Sequence, residues 1–241
     1  MTMSTKLSVN VNKVALLRNS RHINLPDVLE FASKAVFYGA DGITVHPRPD
    51  GRHIRVSDVW NLSNNLLNTE LNIEGYPTPE FVDLVCRTKP YQVTLVPDPP
   101  DAFTSSFGWN LNAHHSFLLP ILLQFKQHAV RTSLFIEPDC SQLSPLYDLP
   151  VDRVELYTEP YAQQFAEDPR KALEPYIKFS EQAYNKGFGI NAGHDLSLKN
   201  LRFLKQHIPF LAEVSIGHAL VADALYFGLK QTIELYQEQL S

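Results

Sequence analysis

The chain has 241 residues, 44% hydrophobic and 20% charged, with 21 Lys and Arg against 26 Asp and Glu and a formal net charge of -5. That composition is ordinary for a globular domain, and its mild acidity excludes a nucleic-acid partner recruited by bulk positive charge. Residues 1–6 lack the apolar core of a signal peptide, and no apolar run is long enough to span a bilayer, so a cytoplasmic protein with no membrane partner is expected.

Residues 7–12 alternate like a strand, and residues 25–38 carry helical apolar spacing (Val28, Leu29, Ala32, Ala35, Val36) that ends at Gly39. The β-branched run at 42–45 predicts a second strand. His46, Arg48, Arg52 and His53 follow abruptly, with Pro47, Pro49 and Gly51 between them. Two imidazoles and two guanidiniums on a stiff loop suit a proton-transfer group held beside an anion, since Pro lowers the entropy lost on ordering. Ser57 is the expected N-cap of a helix reaching residue 67. Residues 71–74 form the third strand, and Thr78-Pro79-Glu80 opens a helix with Pro in its first turn.

The fourth strand is expected at 91–96, followed by a long polar segment over 97–112. A helix at 117–129 has Pro120 near its start. Strands at 131–136 and 153–157 precede a long amphipathic helix over 169–186. A seventh strand at 187–191, a helix at 198–207, an eighth strand at 213–216 and a final helix over 219–239 complete the chain. Eight strands separated by helices and lacking hairpin signals imply parallel pairing. At this length they predict an α/β fold of the closed (β/α)₈ TIM-barrel kind, one domain over residues 1–241. An open doubly wound sheet is the alternative, and it needs an edge strand that the pattern does not supply. Cys86 and Cys140 stand far apart in apolar surroundings and read as buried thiols in a reducing compartment.

In such barrels the active site lies at the C-terminal ends of the strands, and polar residues collect there. They are Asn10, Asn12 and Lys13 after strand one, His46 and Arg48 after strand two, and Glu74 at the close of strand three. Thr104 follows strand four. Strand five reaches Glu137 and strand six contains Glu155. Asn191 and His194 close strand seven, and Gly217 and His218 close strand eight. The paired Gly193-His194 and Gly217-His218 sit at equivalent positions in the last two units. They read as a phosphate site built on Gly N–H groups and a helix N-terminus, or as two tight turns. Arg21 and Arg48 are candidates to grip a second phosphate.

A carboxylate at the end of an apolar strand is partly desolvated, which lifts Glu74 toward the range of a general base. The alternative is a buried Glu paired with a Lys or Arg across the barrel. His46 and His194 are candidates for proton transfer, with a core imidazole bonded to a carbonyl as the bland reading of either. His46, His53, His194 and His218 with Glu74 could in principle hold zinc. Their spacing matches no zinc-protease helix, and Asn10-Val11-Asn12 stands where barrel metallohydrolases carry His-x-His, so no metal is expected. No Gly-x-Gly-x-x-Gly, Walker or Gly-x-Ser-x-Gly motif is present.

The segments Ser8-Val9-Asn10-Val11-Asn12-Lys13, Leu17-Arg18-Asn19 with Arg21, Gly42-Ile43-Thr44-Val45-His46-Pro47-Arg48 and Arg52-His53-Ile54 are similar to motifs of the pyridoxine 5'-phosphate synthase family. Asn72-Ile73-Glu74, Leu95-Val96-Pro97, Ser133-Leu134-Phe135, Val154-Glu155-Leu156, Asn191-Ala192-Gly193-His194 and Ile216-Gly217-His218 continue the resemblance over essentially the whole chain. It implies a (β/α)₈ barrel with additional helices, usually assembled as a homo-octamer. It implies an enzyme of vitamin B6 biosynthesis that joins 1-deoxy-D-xylulose 5-phosphate to 3-amino-2-oxopropyl phosphate. The products are pyridoxine 5'-phosphate, phosphate and water, with no cofactor or metal. Matched by motif, His46 and Glu74 are the proton acceptors and His194 the proton donor. Asn10, Arg21, Gly217 and His218 contact the amino-ketone phosphate. Arg48, His53 and Thr104 contact deoxyxylulose phosphate, and Glu155 is a further polar contact.

The chain departs from much of the family at Asn12-Lys13, where Asp-His is common, and at Asp195, where a second Gly is common. Lys13 can replace an imidazole donor to substrate. Asp195 suits a phosphate site only through its N–H, with the carboxylate turned away. Residues 104–108 lack the common lid pattern. Two other readings stay open: a Schiff-base isomerase or aldolase-type enzyme using Lys13, and a non-catalytic sugar-phosphate-binding protein. Borohydride trapping at Lys13 separates the first of these from the synthase.

Overall fold

The computed structural model describes residues 4–98 and 106–241. Eight strands form a closed, all-parallel barrel in chain order: β1 (Lys6–Asn10), β2 (Gly42–Val45), β3 (Glu70–Gly75), β4 (Gln92–Leu95), β5 (Arg131–Ile136), β6 (Arg153–Leu156), β7 (Gly189–Ala192) and β8 (Leu211–Ile216). β8 pairs with β1, Ser215 opposite Ser8, so the barrel has no free edge and the open-sheet alternative falls away.

Strand alternation explains how the barrel is filled. Leu7, Val9, Ile43, Val45, Leu71, Ile73, Val93, Leu95, Val154, Leu156, Val214 and Ile216 are buried and belong to the main apolar core. The residues between them are polar and equally buried: Ser8, Thr44, Asn72, Thr94, Glu155, Asn191, Glu213 and Ser215. With a period of two, one set faces the helices and the other faces the barrel axis. The axial set is hydrogen-bonded across strands: Ser8 and Thr44 hydroxyls are 2.7 Å apart, and Thr94 Oγ1 lies 3.1 Å from Asn72 Oδ1 and 3.3 Å from Glu155 Oε2. At the N-terminal end of the barrel, Arg131 and Arg153 both reach Glu213, at 3.2 and 3.0 Å, and Arg131 also pairs with Glu70. Placing each buried carboxylate against guanidiniums offsets its desolvation.

The surrounding helices, among the described residues, are α1 (Asn12–Asn19), α2 (Val28–Phe37), α3 (Val56–Asn65), α4 (Pro79–Thr88), α5 (Leu111–Gln127), α6 (Leu143–Tyr147), α7 (Glu159–Gln164), α8 (Pro169–Asn185), α9 (Leu201–His207), α10 (His218–Phe227) and α11 (Leu229–Leu240). Thr78 caps α4 as expected, accepting from Phe81 N at 3.2 Å, with Pro79 at its first position.

Several expectations are corrected. α1 begins at Asn12, because Asn10 Oδ1 accepts from Asn12 N at 3.0 Å and turns the chain out of the strand. The cap of α3 is Arg55, not Ser57: Asp58 Oδ2 accepts from Arg55 N at 2.8 Å. α5 starts six residues before 117, capped by Asn110, and carries Pro120 in its interior. The C-terminal helix is two helices, since Gly228 at φ 77° breaks it. Cys86 is buried but Cys140 is only half-buried. No helix among the described residues is long and apolar enough to cross a membrane.

Candidate active site

The C-terminal strand ends gather the expected residues at one mouth. Asn10 closes β1 and its amide reaches Glu74 Oε2 at 3.4 Å. Asn12 Oδ1 accepts from His46 N at 2.9 Å, which pins the exit of β2 to the start of α1. His46 Nδ1 and Glu74 Oε2 lie 4.0 Å apart, and both side chains are largely buried. Glu74 has no Lys or Arg within ion-pair distance among the described residues, so the cross-barrel salt-bridge reading fails.

That environment decides the charge states. Burial pushes Glu74 well above the ordinary carboxyl range, and the Glu155 and Asp98 carboxylates add to it while Arg48 opposes. Burial pulls His46 well below the ordinary imidazole range, with Arg48, His53 and Arg52 acting in the same direction. Glu155, deep in the axis, is lifted to about 7 by burial and by Glu213. His53 is lowered to about 4 by burial and by Arg48, Arg52 and Lys13. Its Nδ1 accepts from Ile54 N at 2.9 Å, so the neutral ring carries its proton on Nε2, available as a donor.

The loop after β2 is clamped by Arg18 and Asn19, which the sequence places in a family motif without a role, and by Asp58. Arg18 on α1 makes a buried bidentate pair with Asp58 on α3, at 2.6 and 2.9 Å, and donates to the His53 carbonyl at 3.1 Å. Asn19 Nδ2 donates to the carbonyls of Gly51, Arg52 and His53, the shortest 2.8 Å. Arg48 is buried and its guanidinium is 3.2 Å from Asp98. The Asp58 position three residues after Arg55 was the available signal, as a capping box.

Across the mouth, His194 follows β7. Its carbonyl accepts from Thr158 Oγ1 at 2.5 Å, and its ring packs edge-on against Tyr157. Its Nδ1 is 3.0 Å from Asp195 Oδ2. Burial lowers the His194 pKa, but Asp195, Glu159 and Glu155 outweigh it and the net shift is upward. Gly193 has no room for a side chain, since a Cβ would meet Ser215 O at 2.5 Å. Gly217 packs likewise on Asn10, with a Cβ 3.1 Å from the Asn10 Cβ. His218 opens α10, exposed, and its charge reaches Asp195.

Lys13 is exposed in the first turn of α1, and its charge is felt by His53 and Asp195. Arg21 is exposed beyond α1, and its side chain bonds none of the other site residues among those described. Thr104 and Ser105 of the expected lid lie outside the described residues. Glu159, His194 and Asp195 place potential ligand atoms within 4.8 Å of one another. His194 Nδ1 is engaged with Asp195 Oδ2, and Glu159 accepts from the Tyr157 hydroxyl and from Gln163 Nε2, so each of the three already has a protein partner.

Solved structures share the barrel. Tryptophan synthase from M. tuberculosis superposes with a TM-score of 0.63 at 13% identity, covering 99% of this chain and 92% of that one. At that identity the likeness concerns the fold. Closer relatives are similar throughout. The pyridoxine 5'-phosphate synthase of Phocaeicola vulgatus is 56% identical over 236 residues, 98% of this chain and 99% of the relative. That of Parabacteroides distasonis is 52% identical over 237 residues, again 98% and 99% of the two chains. The profile of the family described as "Pyridoxal phosphate biosynthesis protein PdxJ" matches residues 7–241. A closed parallel barrel with this mouth, matched end to end by that profile and by relatives above half identity, belongs to the PdxJ family.

Proposed function

We propose that the mouth of the barrel catalyses the pyridoxine 5'-phosphate synthase reaction, the ring-closing condensation of 1-deoxy-D-xylulose 5-phosphate with 3-amino-2-oxopropyl phosphate. The observation that carries the residue roles is the buried Glu74 carboxyl, with no Lys or Arg in ion-pair contact among the described residues, beside a His46 whose burial disfavours its charged form. The chemistry needs such a pair. The amine adds to the ketone, and the carbinolamine must lose water, which requires a proton donor. Enolisation then requires a base beside the acidic carbon, and closure of the ring uses the same groups again.

His46 is neutral and can accept a proton at once. Burial raises the Glu74 pKa, and an incoming ammonium or imine cation stabilises its carboxylate form. His194 has its pKa raised, which suits the donor of the proton to leaving water. His53 donates from Nε2 and Arg48 supplies charge for the deoxyxylulose phosphate. The Gly217 N-cap of α10, with His218, Arg21 and Asn10, takes the amino-ketone phosphate. Asn12 holds the His46 backbone and Lys13 stands at the rim, while Thr104 is assigned to deoxyxylulose phosphate by motif alone. No metal or organic cofactor enters this scheme.

The Schiff-base alternative is weaker because Lys13 is exposed, and a lysine nucleophile needs desolvation to lose its proton. We read residues 1–241 as one domain, since β1 and β8 close one barrel. A cytoplasmic homo-octamer is the proposed assembly. Phe37, Leu225 and Tyr226, at 83%, 75% and 84% exposure, support self-association of the outer helices. The test is a coupled assay with both substrates, following pyridoxine 5'-phosphate and phosphate, beside Glu74→Gln. Equal product from the variant overturns the role of Glu74, and no product from either protein overturns the function.

A further inference from the structure

The turn after β7 contains a residue in an unfavourable backbone conformation. Asp195 sits at φ 61°, in the left-handed region, where a side chain costs about 1 kcal/mol and Asp or Asn is tolerated better than most. The turn around it is fully tied down. Leu196 N donates to Gly193 O at 3.1 Å, and Asn200 Nδ2 donates to Asp195 O at 3.2 Å. The left-handed backbone folds the carboxylate back over the preceding residue, to 3.0 Å from His194 Nδ1.

We propose that Asp195 is a positioning residue for His194, fixing which ring nitrogen faces substrate. This rests on reading His194 as the proton donor. An ionised carboxylate only accepts, so Nδ1 must carry a hydrogen and Nε2 is left for the reacting oxygen. The rest of the pocket agrees. The Thr158 hydroxyl holds the His194 carbonyl, and the Tyr157 ring flanks the imidazole at 5.6 Å between centroids. The charges facing His194 come from three elements: Asp195 on its own turn, Glu159 on α7 and Glu155 on β6. Lys13 on α1 and His218 on α10 face Asp195 and help keep it ionised. A glycine at this position would relieve the backbone and lose the carboxylate; this chain keeps the strained aspartate.

The experiment is ¹⁵N NMR titration of the His194 imidazole in the wild-type protein, Asp195→Asn and Asp195→Gly, with pH profiles of kcat on the same samples. Asn tolerates the left-handed backbone and retains an acceptor without charge, while Gly removes both. The His194 pKa is expected to fall by roughly 0.5–1 unit in both variants. The Nδ1–H tautomer is expected to persist in Asn and to be lost in Gly. The basic limb of kcat should move down by the same amount, with KM little changed. Identical His194 titration in all three proteins overturns the proposal, whatever the activity does. A lowered His194 pKa with an unmoved basic limb retains the Asp195–His194 coupling and overturns His194 as the donor. Melting curves separate these effects from misfolding, because Asp195→Gly relieves strain.

Discussion

Nδ1 of His46 stands 4.0 Å from Oε2 of Glu74, within ion-pair distance, yet burial shifts the two groups in opposite directions, His46 down and Glu74 up. The separation is too long for a hydrogen bond, and burial disfavours charge on both. The charged form of each is therefore disfavoured where it stands. Neither group is committed to the other, and both can respond to a substrate cation.

Removing the carboxyl should separate activity from stability. Glu74→Gln is expected to lose about 10²–10⁴-fold in kcat, the usual span for one acid–base group. Its melting temperature above neutral pH should stay level or rise, because an amide carries no buried charge. Steady-state kinetics and thermal melts on the same preparation check both halves. A variant that is inactive only because it unfolds would contradict the assignment.

Glu155 makes stability depend on pH with a definite sign. Its pKa is about 7 in the folded protein, above the ordinary 4.5, so the folded state binds the proton more tightly than the unfolded chain. The associated stability is complete below about pH 4.5 and is lost as pH rises to about 7. His46, with a lowered pKa, contributes in the opposite direction, so the wild-type curve alone is a sum. Glu155→Gln isolates the term: its melting temperature should fall less than that of wild type between pH 5 and pH 8. Parallel curves would show that Glu155 is not perturbed.

The Arg18–Asp58 clamp is a buried ion pair shorter than the neighbouring Arg48–Asp98 pair, 2.6 against 3.2 Å. Arg18→Met leaves Asp58 buried without its guanidinium partner and removes one of the two side-chain donors to the His53 carbonyl, the other being Asn19. A loss of about 3–5 kcal/mol is expected. For a chain of this size that is a fall in melting temperature on the order of 10 °C. Asp58→Asn in the same background should recover part of it. KM for the deoxyxylulose phosphate should rise more than KM for the amino ketone, since the loop carrying Arg48 and His53 is the part set free.

Gly193 tests whether the position of His194 matters at the scale of an added methyl. A Cβ there would meet the Ser215 carbonyl at 2.5 Å and Glu155 Oε1 at 3.1 Å. Backbone on the neighbouring strand cannot yield cheaply, so Gly193→Ala must displace the turn that bears His194. A fall in kcat of about 10²-fold is expected, with a smaller change in KM. Wild-type kcat in a folded variant would mean that the turn has slack.

Much was legible in the sequence alone. The barrel follows from eight apolar segments spaced by helices, and all eight strands lie within two residues of where their patterns place them. β1 was drawn too long, because Asn12 continues the alternation of the strand while its N–H is captured by Asn10. Proton-transfer candidates could be read because His46, Glu74 and His194 interrupt apolar strand ends, where a polar residue has no packing reason to be. What only the tertiary structure decided is electrostatic and through-space. The neutrality of His46, the lift on Glu74 by Glu155 and Asp98, and the Arg18–Asp58 clamp join residues dozens of positions apart. The polar axis of the barrel belongs here too, since period-two alternation gives each strand two faces and only closure shows which one is inside. The Asp195–His194 contact is local in sequence but depends on a left-handed φ held by Asn200 and Gly193. The chain alone shows which groups are present, and their charge and direction come from burial and neighbours that exist only once the barrel closes.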